Sequence, residues 1–313
     1  MSSTLKGRSC LMMADLSTAE IRSLLDLAHE VKLQKRMGLV TQRFQGKTLA
    51  MIFEKPSTRT RAAFETAFAE EGGHPVFLSK DDIQLGYKES IEDTARVLGR
   101  MFDAIMFRGF AQSTVEALAQ WSGVPVYNGL TDMAHPTQVL ADLMTLEEAW
   151  GTLRGKTLVF CGDGRNNMSH TLMVGAARMG MKFVIAAPEP LFPAEDDVEF
   201  CRQIASQEGT ELIITTDLSA AVRGADALYT DVWASMGEET LLHLRQQILQ
   251  PYQINEAVLQ MTGNPSCVFL HCLPAVKGQE VTVGVIEGPQ SRVWDQAENR
   301  KHTIKALMLA TLL

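Results

Sequence analysis

Residues 48–61 read Thr-Leu-Ala-Met-Ile-Phe-Glu-Lys-Pro-Ser-Thr-Arg-Thr-Arg, an apolar run that passes into a polar, hydroxyl-rich turn. The run Thr48 to Phe53 predicts a buried strand, and helical spacing begins at Thr60 and continues to Glu71. Strand, polar turn and helix in that order form the first half of a β-α-β unit. Outward from it the rhythm repeats, with strands over Val76 to Ser79, Ala104 to Phe107 and Val124 to Tyr127, and helices over Ile91 to Met101, Ser113 to Trp121 and Thr137 to Trp150. After Gly155-Lys156 it restarts: strands Thr157 to Cys161, Phe183 to Ala187, Leu212 to Thr215, Ala227 to Thr230 and Val268 to His271, with helices near Ser169 to Met179 and Val198 to Gln207. Upstream, Ser17 to Met37 is a helix opened by a Ser17/Glu20 capping box.

Strands alternating with helices predict parallel sheets covered on both faces. The fold class is therefore α/β: two domains, each a parallel sheet flanked by helices, joined by interdomain helices. The expected boundaries are 1–135 for the first domain, 136–150 for the bridging helix and 151–296 for the second domain. A final helix spans 297–313; periodicity does not say which domain it joins. The length, 313 residues, agrees with two domains at roughly 150 residues each.

Composition narrows the function classes. Lys and Arg number 29 against 37 Asp and Glu, a formal charge of −8, and no stretch gathers basic residues. Nucleic acid and anionic membranes are thus poor partners. No apolar stretch approaches the roughly 18 residues of a spanning helix. The N-terminal sequence has neither an apolar leader nor an Arg-rich amphipathic pattern, so the cytoplasm is expected. Five cysteines, with no C-x-x-C pair, argue against a disulfide framework or a zinc cage, and no metal is expected.

The turn at 54–61 is the first constellation that could do chemistry. The hydroxyls of Ser57, Thr58 and Thr60, the Arg59 guanidinium and the N–H groups of a helix start suit a phosphate. The plain alternative is a helix cap flanked by solvent-exposed arginines. Arg108 follows a second strand, and His135 with Gln138 opens the bridging helix. All three fall at strand carboxyl ends, where open α/β sheets bind ligands. In the second half, Gly162-Asp163-Gly164-Arg165-Asn166-Asn167 is one glycine short of a dinucleotide fingerprint, because Asn167 stands where the third glycine belongs. The P-loop tails Gly46-Lys47-Thr48 and Gly155-Lys156-Thr157 lack their first glycine, replaced by Thr41 and Trp150. An Asn pair at a helix start suits a small zwitterion instead. Asp231 and Ser235 follow another strand and could hold an ammonium group. Cys272 lies beside His271, but adjacent strand residues point to opposite faces, which favours a substrate contact over a thiol nucleophile.

Taken together, five segments resemble the carbamoyltransferase family, and within it the branch that uses ornithine. They are Phe-Glu-Lys-Pro-Ser-Thr-Arg-Thr-Arg (53–61), His-Pro-Thr-Gln (135–138), Asp-Val-Trp-Ala-Ser-Met-Gly (231–237), His-Cys-Leu-Pro (271–274) and Glu-Asn-Arg-Lys-His-Thr (298–303). The resemblance covers essentially the whole chain. It implies that Ser57, Thr58, Arg59, Thr60 and Arg108 hold the phosphate of carbamoyl phosphate, with Arg108, His135 and Gln138 serving the carbamoyl group. It places Asn167, Asp231, Ser235 and Met236 on ornithine, and Cys272, Leu273 and Arg300 around the reacting centre. It implies the return of the final helix, 297–313, to the first domain and a homotrimer in which Gln84 and Lys88 reach a neighbour's site, and it calls for no cofactor. Transfer to the δ-amine of ornithine would yield citrulline, in arginine metabolism. Transfer to putrescine, a dinucleotide-dependent oxidoreductase, and a binding module without turnover are the competing readings.

Overall fold

The structure is a computed structural model that describes residues 5–39, 41–81, 83, 88–234, 240 and 242–313. The chain divides into two compact units, one comprising Met1–Met144 with Glu298–Leu313, the other Thr145–Ala297.

In the first unit the elements run α1 (Thr18–Arg36), β1 (Thr48–Phe53), α2 (Thr58–Ala69), β2 (His74–Ser79), α3 (Ile91–Met101), β3 (Ala104–Arg108), α4 (Gln112–Ser122), β4 (Val126–Leu130) and the start of α5 (Pro136–Trp150). The strands form one parallel sheet in the order β2-β1-β3-β4. Five of the six β1 residues are buried, as a strand covered on both faces requires. Ile52, Ile105 and Phe107 pack with Leu98 of α3 and Leu118 of α4. Burying side chains of this size contributes roughly 1.5–3 kcal/mol each.

Local sequence explains the helix ends. Ser17 accepts from the Glu20 N–H while the Glu20 carboxylate accepts from the Ser17 N–H, so the expected capping box is formed. α4 stops where Gly123 adopts φ +74°, a left-handed position open to glycine. α2 begins at Thr58, two residues before the predicted start, because Ser57 caps it by accepting from the Thr60 N–H at 3.2 Å. The strand expected over 124–127 lies at Val126–Leu130, two residues further on.

The second unit holds the end of α5, then β5 (Thr157–Cys161), α6 (Asn167–Arg178), β6 (Lys182–Ala186), α7 (Glu195–Glu208), β7 (Leu212–Thr215), α8 (Leu218–Val222), β8 (Ala227–Thr230), α9 (Leu242–Leu249), α10 (Glu256–Met261), β9 (Val268–His271), α11 (Val283–Ile286) and the first turn of α12 (Val293–Leu312). Its parallel sheet has the order β7-β6-β5-β8-β9, and Val159, Leu228, Trp233 and Phe269 are buried in its core. The four short helices α8 to α11 have no counterpart in the periodicity reading. Each spans only 4 to 8 residues, too few turns to show a repeat.

The remainder of α12 belongs to the first unit. There Lys32 donates to Asn299 Oδ1 at 2.7 Å, and Thr311 shares a 2.6 Å hydrogen bond with the Tyr127 hydroxyl. Lys305 reaches both Glu70 and Glu71 just past the C-terminal end of α2. Among the described residues, no helix is long and apolar enough to cross a membrane.

Both sheet orders contain a reversal of direction. In the first unit β1 and β3 are neighbours from which the chain winds to opposite edges, and in the second β5 and β8 are. Ligands of open α/β sheets bind outside strand carboxyl ends at these switch points. Topology alone therefore singles out the segments after β1, β3, β5 and β8.

Candidate active site

In the first unit Phe53 and Arg108 are partners across the β1–β3 pair, so Ser57 and Arg108 emerge at the same switch point. The α2 N-terminus opens there, its first-turn amides and positive dipole end facing out along the helix axis. Ser57 Oγ accepts from the Thr60 N–H and retains its own O–H to donate.

Thr60 is fully buried, and its Oγ1 accepts from Arg108 Nη1 and Arg300 Nη2, each at 3.1 Å. Two guanidinium groups that converge on one neutral oxygen, at 7% and 3% exposure, create a strongly positive interior. A bound anion would offset their mutual repulsion. Gly129 of β4 makes room for the arrangement: a β-carbon there would lie 3.1 Å from the Thr60 methyl and 2.9 Å from Met106 Sδ.

His135 precedes the first turn of α5, whose Pro136 occupies a position where no helical N–H is needed. Its ring is buried, and burial, reinforced by the charges of Arg300, Arg108 and Arg59, holds its pKa well below the usual histidine value. The ring is therefore neutral at physiological pH. Gln138, one turn on, is also buried. Neighbouring charged groups of the 53–61 motif have other work: Lys55 pairs with Asp132 at 2.7 Å, and Arg61 pairs with Glu65 and lies over the Phe77 ring.

The second unit builds its site after β5, β8 and β9. Asp231 Oδ1 accepts from the Val232 N–H at 2.8 Å and from the Cys272 thiol at 3.0 Å, and Oδ2 accepts from Asn166 Nδ2 at 3.4 Å. Asn166 also caps α6 by accepting from the Ser169 N–H, while Asn167 is the first helical residue. The fold brings Asn166 to Asp231. The first Asn of the pair carried that signal, being the one before the helix.

Strand alternation does not separate His271 from Cys272, because β9 ends at His271. One ligand atom each from Asp231, His271 and Cys272 lies within 4.8 Å of the others. These donor types match those of zinc sites. His271 Nδ1 accepts from the Leu273 N–H at 2.8 Å, while Nε2 lies 3.3 Å from Glu280 with no hydrogen-bond partner among the described residues. Leu273 holds φ +58°, a conformation rare for a side chain of its type, and the His271 contact secures it.

Asp163, in the loop after β5, is tied to Arg245 at 2.8 Å and to Arg165 at 3.2 Å. Sequence reading missed Arg245 as an anchor of this loop; an arginine inside a short helix carries no signal of its own. Lys88 is exposed, and Gln84, Ser235 and Met236 lie outside the described residues.

Two parallel α/β units, each with polar groups gathered at its switch point, define the class: an α/β enzyme that binds small charged molecules at strand ends. Two family models match, that of the aspartate/ornithine carbamoyltransferase carbamoyl-P binding domain over residues 8–148 and that of the Asp/Orn binding domain over residues 154–311. The chain is 64% identical over 313 residues to an ornithine carbamoyltransferase of Caldanaerobacter subterraneus subsp. tengcongensis and 63% identical to one of Thermotoga maritima, with full coverage of both proteins. It is similar to the solved ornithine carbamoyltransferase of Pyrococcus furiosus, at 45% identity and a TM-score of 0.95 over 98% of each chain. The chain belongs to the aspartate/ornithine carbamoyltransferase family.

Proposed function

We propose that the chain transfers the carbamoyl group of carbamoyl phosphate to the δ-amino group of L-ornithine, giving L-citrulline and phosphate. The observation that carries this is the convergence of Arg108 and Arg300 on Thr60 at the Ser57-capped start of α2. That cradle suits a doubly charged phosphate, with Ser57, Thr58, Arg59 and Thr60 supplying hydroxyls, amides and charge.

The neutral His135 ring can donate a hydrogen bond to the carbamoyl oxygen, helped by Arg108, without adding a proton of its own. As the amine lone pair forms the C–N bond, the carbonyl π pair moves to oxygen, and these donors meet the developing charge. One such donor is worth roughly 3 kcal/mol at an oxyanion. Collapse restores the carbonyl and breaks the C–O bond to phosphate; the amine proton leaves with the phosphate or to solvent. The attacking amine, with an ordinary pKa near ~10.4, must first be uncharged. In this reading Asp231 and Cys272 orient it, with Asn167, Ser235 and Met236 holding the amino-acid end of ornithine and Leu273 lining the reacting centre. The ornithine carbamoyltransferases named above support this second substrate over putrescine or aspartate.

As part of the same reading the chain works as a homotrimer, with Gln84 and Lys88 reaching a neighbouring copy, in the cytoplasm and in arginine metabolism. Sedimentation equilibrium tests the assembly; a monomer with full turnover would remove it. For the activity, citrulline is measured colorimetrically with carbamoyl phosphate and, in parallel, ornithine, putrescine, aspartate or acetylated ornithine. Ornithine is expected to be used best by orders of magnitude, and equal use of another amine would overturn the assignment.

A further inference from the structure

On the reading that the first unit binds carbamoyl phosphate, one contact inside α5 bears on how the carbamoyl group is recognised. Gln138 and Asp142 stand one turn apart on that helix, at 1% and 0% exposure. Gln138 Nε2 donates to Asp142 Oδ1 at 2.8 Å. A primary amide has a donor end and an acceptor end, whereas a carboxylate only accepts. The Asp142 carboxylate therefore decides which end of the amide faces it: the nitrogen. The amide oxygen, Oε1, is turned the other way. It is buried, and among the described residues it has no hydrogen-bond partner. Buried acceptors of this kind are rare in folded proteins, and each calls for an explanation. Gln138 sits on the turn that His135 opens, its N–H donating to the His135 carbonyl at 3.1 Å, and on the same reading both residues serve the carbamoyl group.

Carbamoyl phosphate and acetyl phosphate differ at one group, –NH2 against –CH3, of nearly equal size. The phosphate cradle cannot tell them apart. A fixed acceptor can, because only the carbamoyl group offers it an N–H. We propose that Asp142 is a positioning residue that locks the Gln138 amide with its oxygen toward the substrate, so that the site selects a carbamoyl over an acetyl group. Without the carboxylate, the amide can turn over and present its own N–H groups, which repel –NH2 and tolerate –CH3.

The test compares wild type with Asp142→Asn, Asp142→Leu, Gln138→Ala and the Gln138→Ala/Asp142→Leu double variant. It reads kcat and KM for carbamoyl phosphate, and the inhibition constants of acetyl phosphate and inorganic phosphate. A site built to bond an N–H discriminates by roughly 10,000-fold against an analogue that lacks it. That preference is expected to fall about tenfold in Asp142→Asn, whose amide can still accept in one orientation, and about 100-fold in Asp142→Leu. Phosphate inhibition should stay within about twofold, since the cradle is untouched. In the Gln138→Ala background, Asp142→Leu should change the preference no further. Equal weakening of all three ligands, or an unchanged carbamoyl preference in folded Asp142 variants, overturns the proposal. Should Asp142→Leu fail to fold, the isosteric Asp142→Asn decides alone. A wild-type protein that makes no citrulline and binds carbamoyl phosphate no better than phosphate would instead remove the underlying activity, and this inference with it.

Discussion

Arg300 donates to the Thr60 hydroxyl at 3.1 Å across 240 residues of sequence, so the last helix of the chain supplies a charge to the first strand-turn-helix motif. Thr60 is the shared acceptor for Arg300 and Arg108. Thr60→Val keeps the shape and removes the acceptor. Each hydrogen bond from a charged group contributes about 1.5–3 kcal/mol, so kcat/KM for carbamoyl phosphate should fall by roughly 10- to 100-fold. Steady-state kinetics check this, and a value within about twofold of wild type would show that the two guanidinium groups need no common anchor.

In the proposed reading Ser57 has two roles, helix cap and phosphate donor, that one substitution separates. Losing the cap costs about 1 kcal/mol of stability, whereas losing a phosphate donor acts on the site alone. Ser57→Gly, which costs only a few tenths of a kcal/mol as a cap, should leave the melting temperature nearly unchanged while raising KM for carbamoyl phosphate at least about tenfold. A scan by calorimetry beside the kinetics decides it; a shift in melting temperature without a change in KM would leave Ser57 as a cap only.

His135 is held neutral by burial and by the three arginines around it. Its folded pKa lies below the unfolded 6.5, so protons bind more readily to the unfolded chain. The stability it contributes is present above about 6.5 and declines as pH falls toward the folded value. Activity should show no histidine limb near 6.5; it should rise with pH as the ornithine amine loses its proton. Proton NMR of the ring, or a kcat/KM profile with an inflection near 6.5 that vanishes in His135→Asn, would contradict this.

Glu70 and Glu71 anchor α12 against the C-terminal end of α2. Burial raises both carboxyls, but hydrogen bonds from Lys35 and Lys305 to Glu70, and from Arg43 and Thr41 to Glu71, outweigh it and hold each at about 2. With folded values below the ordinary 4.5, their contribution is present above that pH and is lost as pH falls through about 2. Glu71→Gln should therefore lower the melting temperature at pH 7 and flatten its decline between pH 4.5 and 2. An acid melting series compares the two proteins, and parallel curves would exclude the network as a source of stability.

Asp231 and the Cys272 thiol, 3.0 Å apart, are assigned to the amine. Asp231→Asn should raise KM for ornithine by about 100-fold, the loss of one buried charged partner, and leave the binding of carbamoyl phosphate unchanged. Isothermal titration with each substrate separates the two. Equal weakening of both would place Asp231 outside the ornithine site.

Much of the fold was legible because its signals are local. Ser17 with Glu20 marked α1 to within a residue, the apolar runs at 48–53 and 157–161 are strands with the predicted bounds, and turn polarity pointed to the strand ends. The misses share a cause. α2 starts two residues early because Ser57 caps it, and α8 to α11 are too short for periodicity. Asp142 was open to sequence reading, as an acid four residues after Gln138 on an apolar helix, a spacing at which side chains meet. Cys272 was judged by strand alternation that had already ended at His271.

Residue order alone settled the alternation of strands and helices, the caps, and the polar clusters that follow β1, β3 and β8, since each depends on neighbours within a few positions. Which clusters share a switch point was decided only by the tertiary structure. Strand order places Ser57 beside Arg108, and the return of α12 to the first unit brings Arg300 to Thr60. A charge 240 residues away has no local signature, because its partner is chosen by packing rather than by spacing.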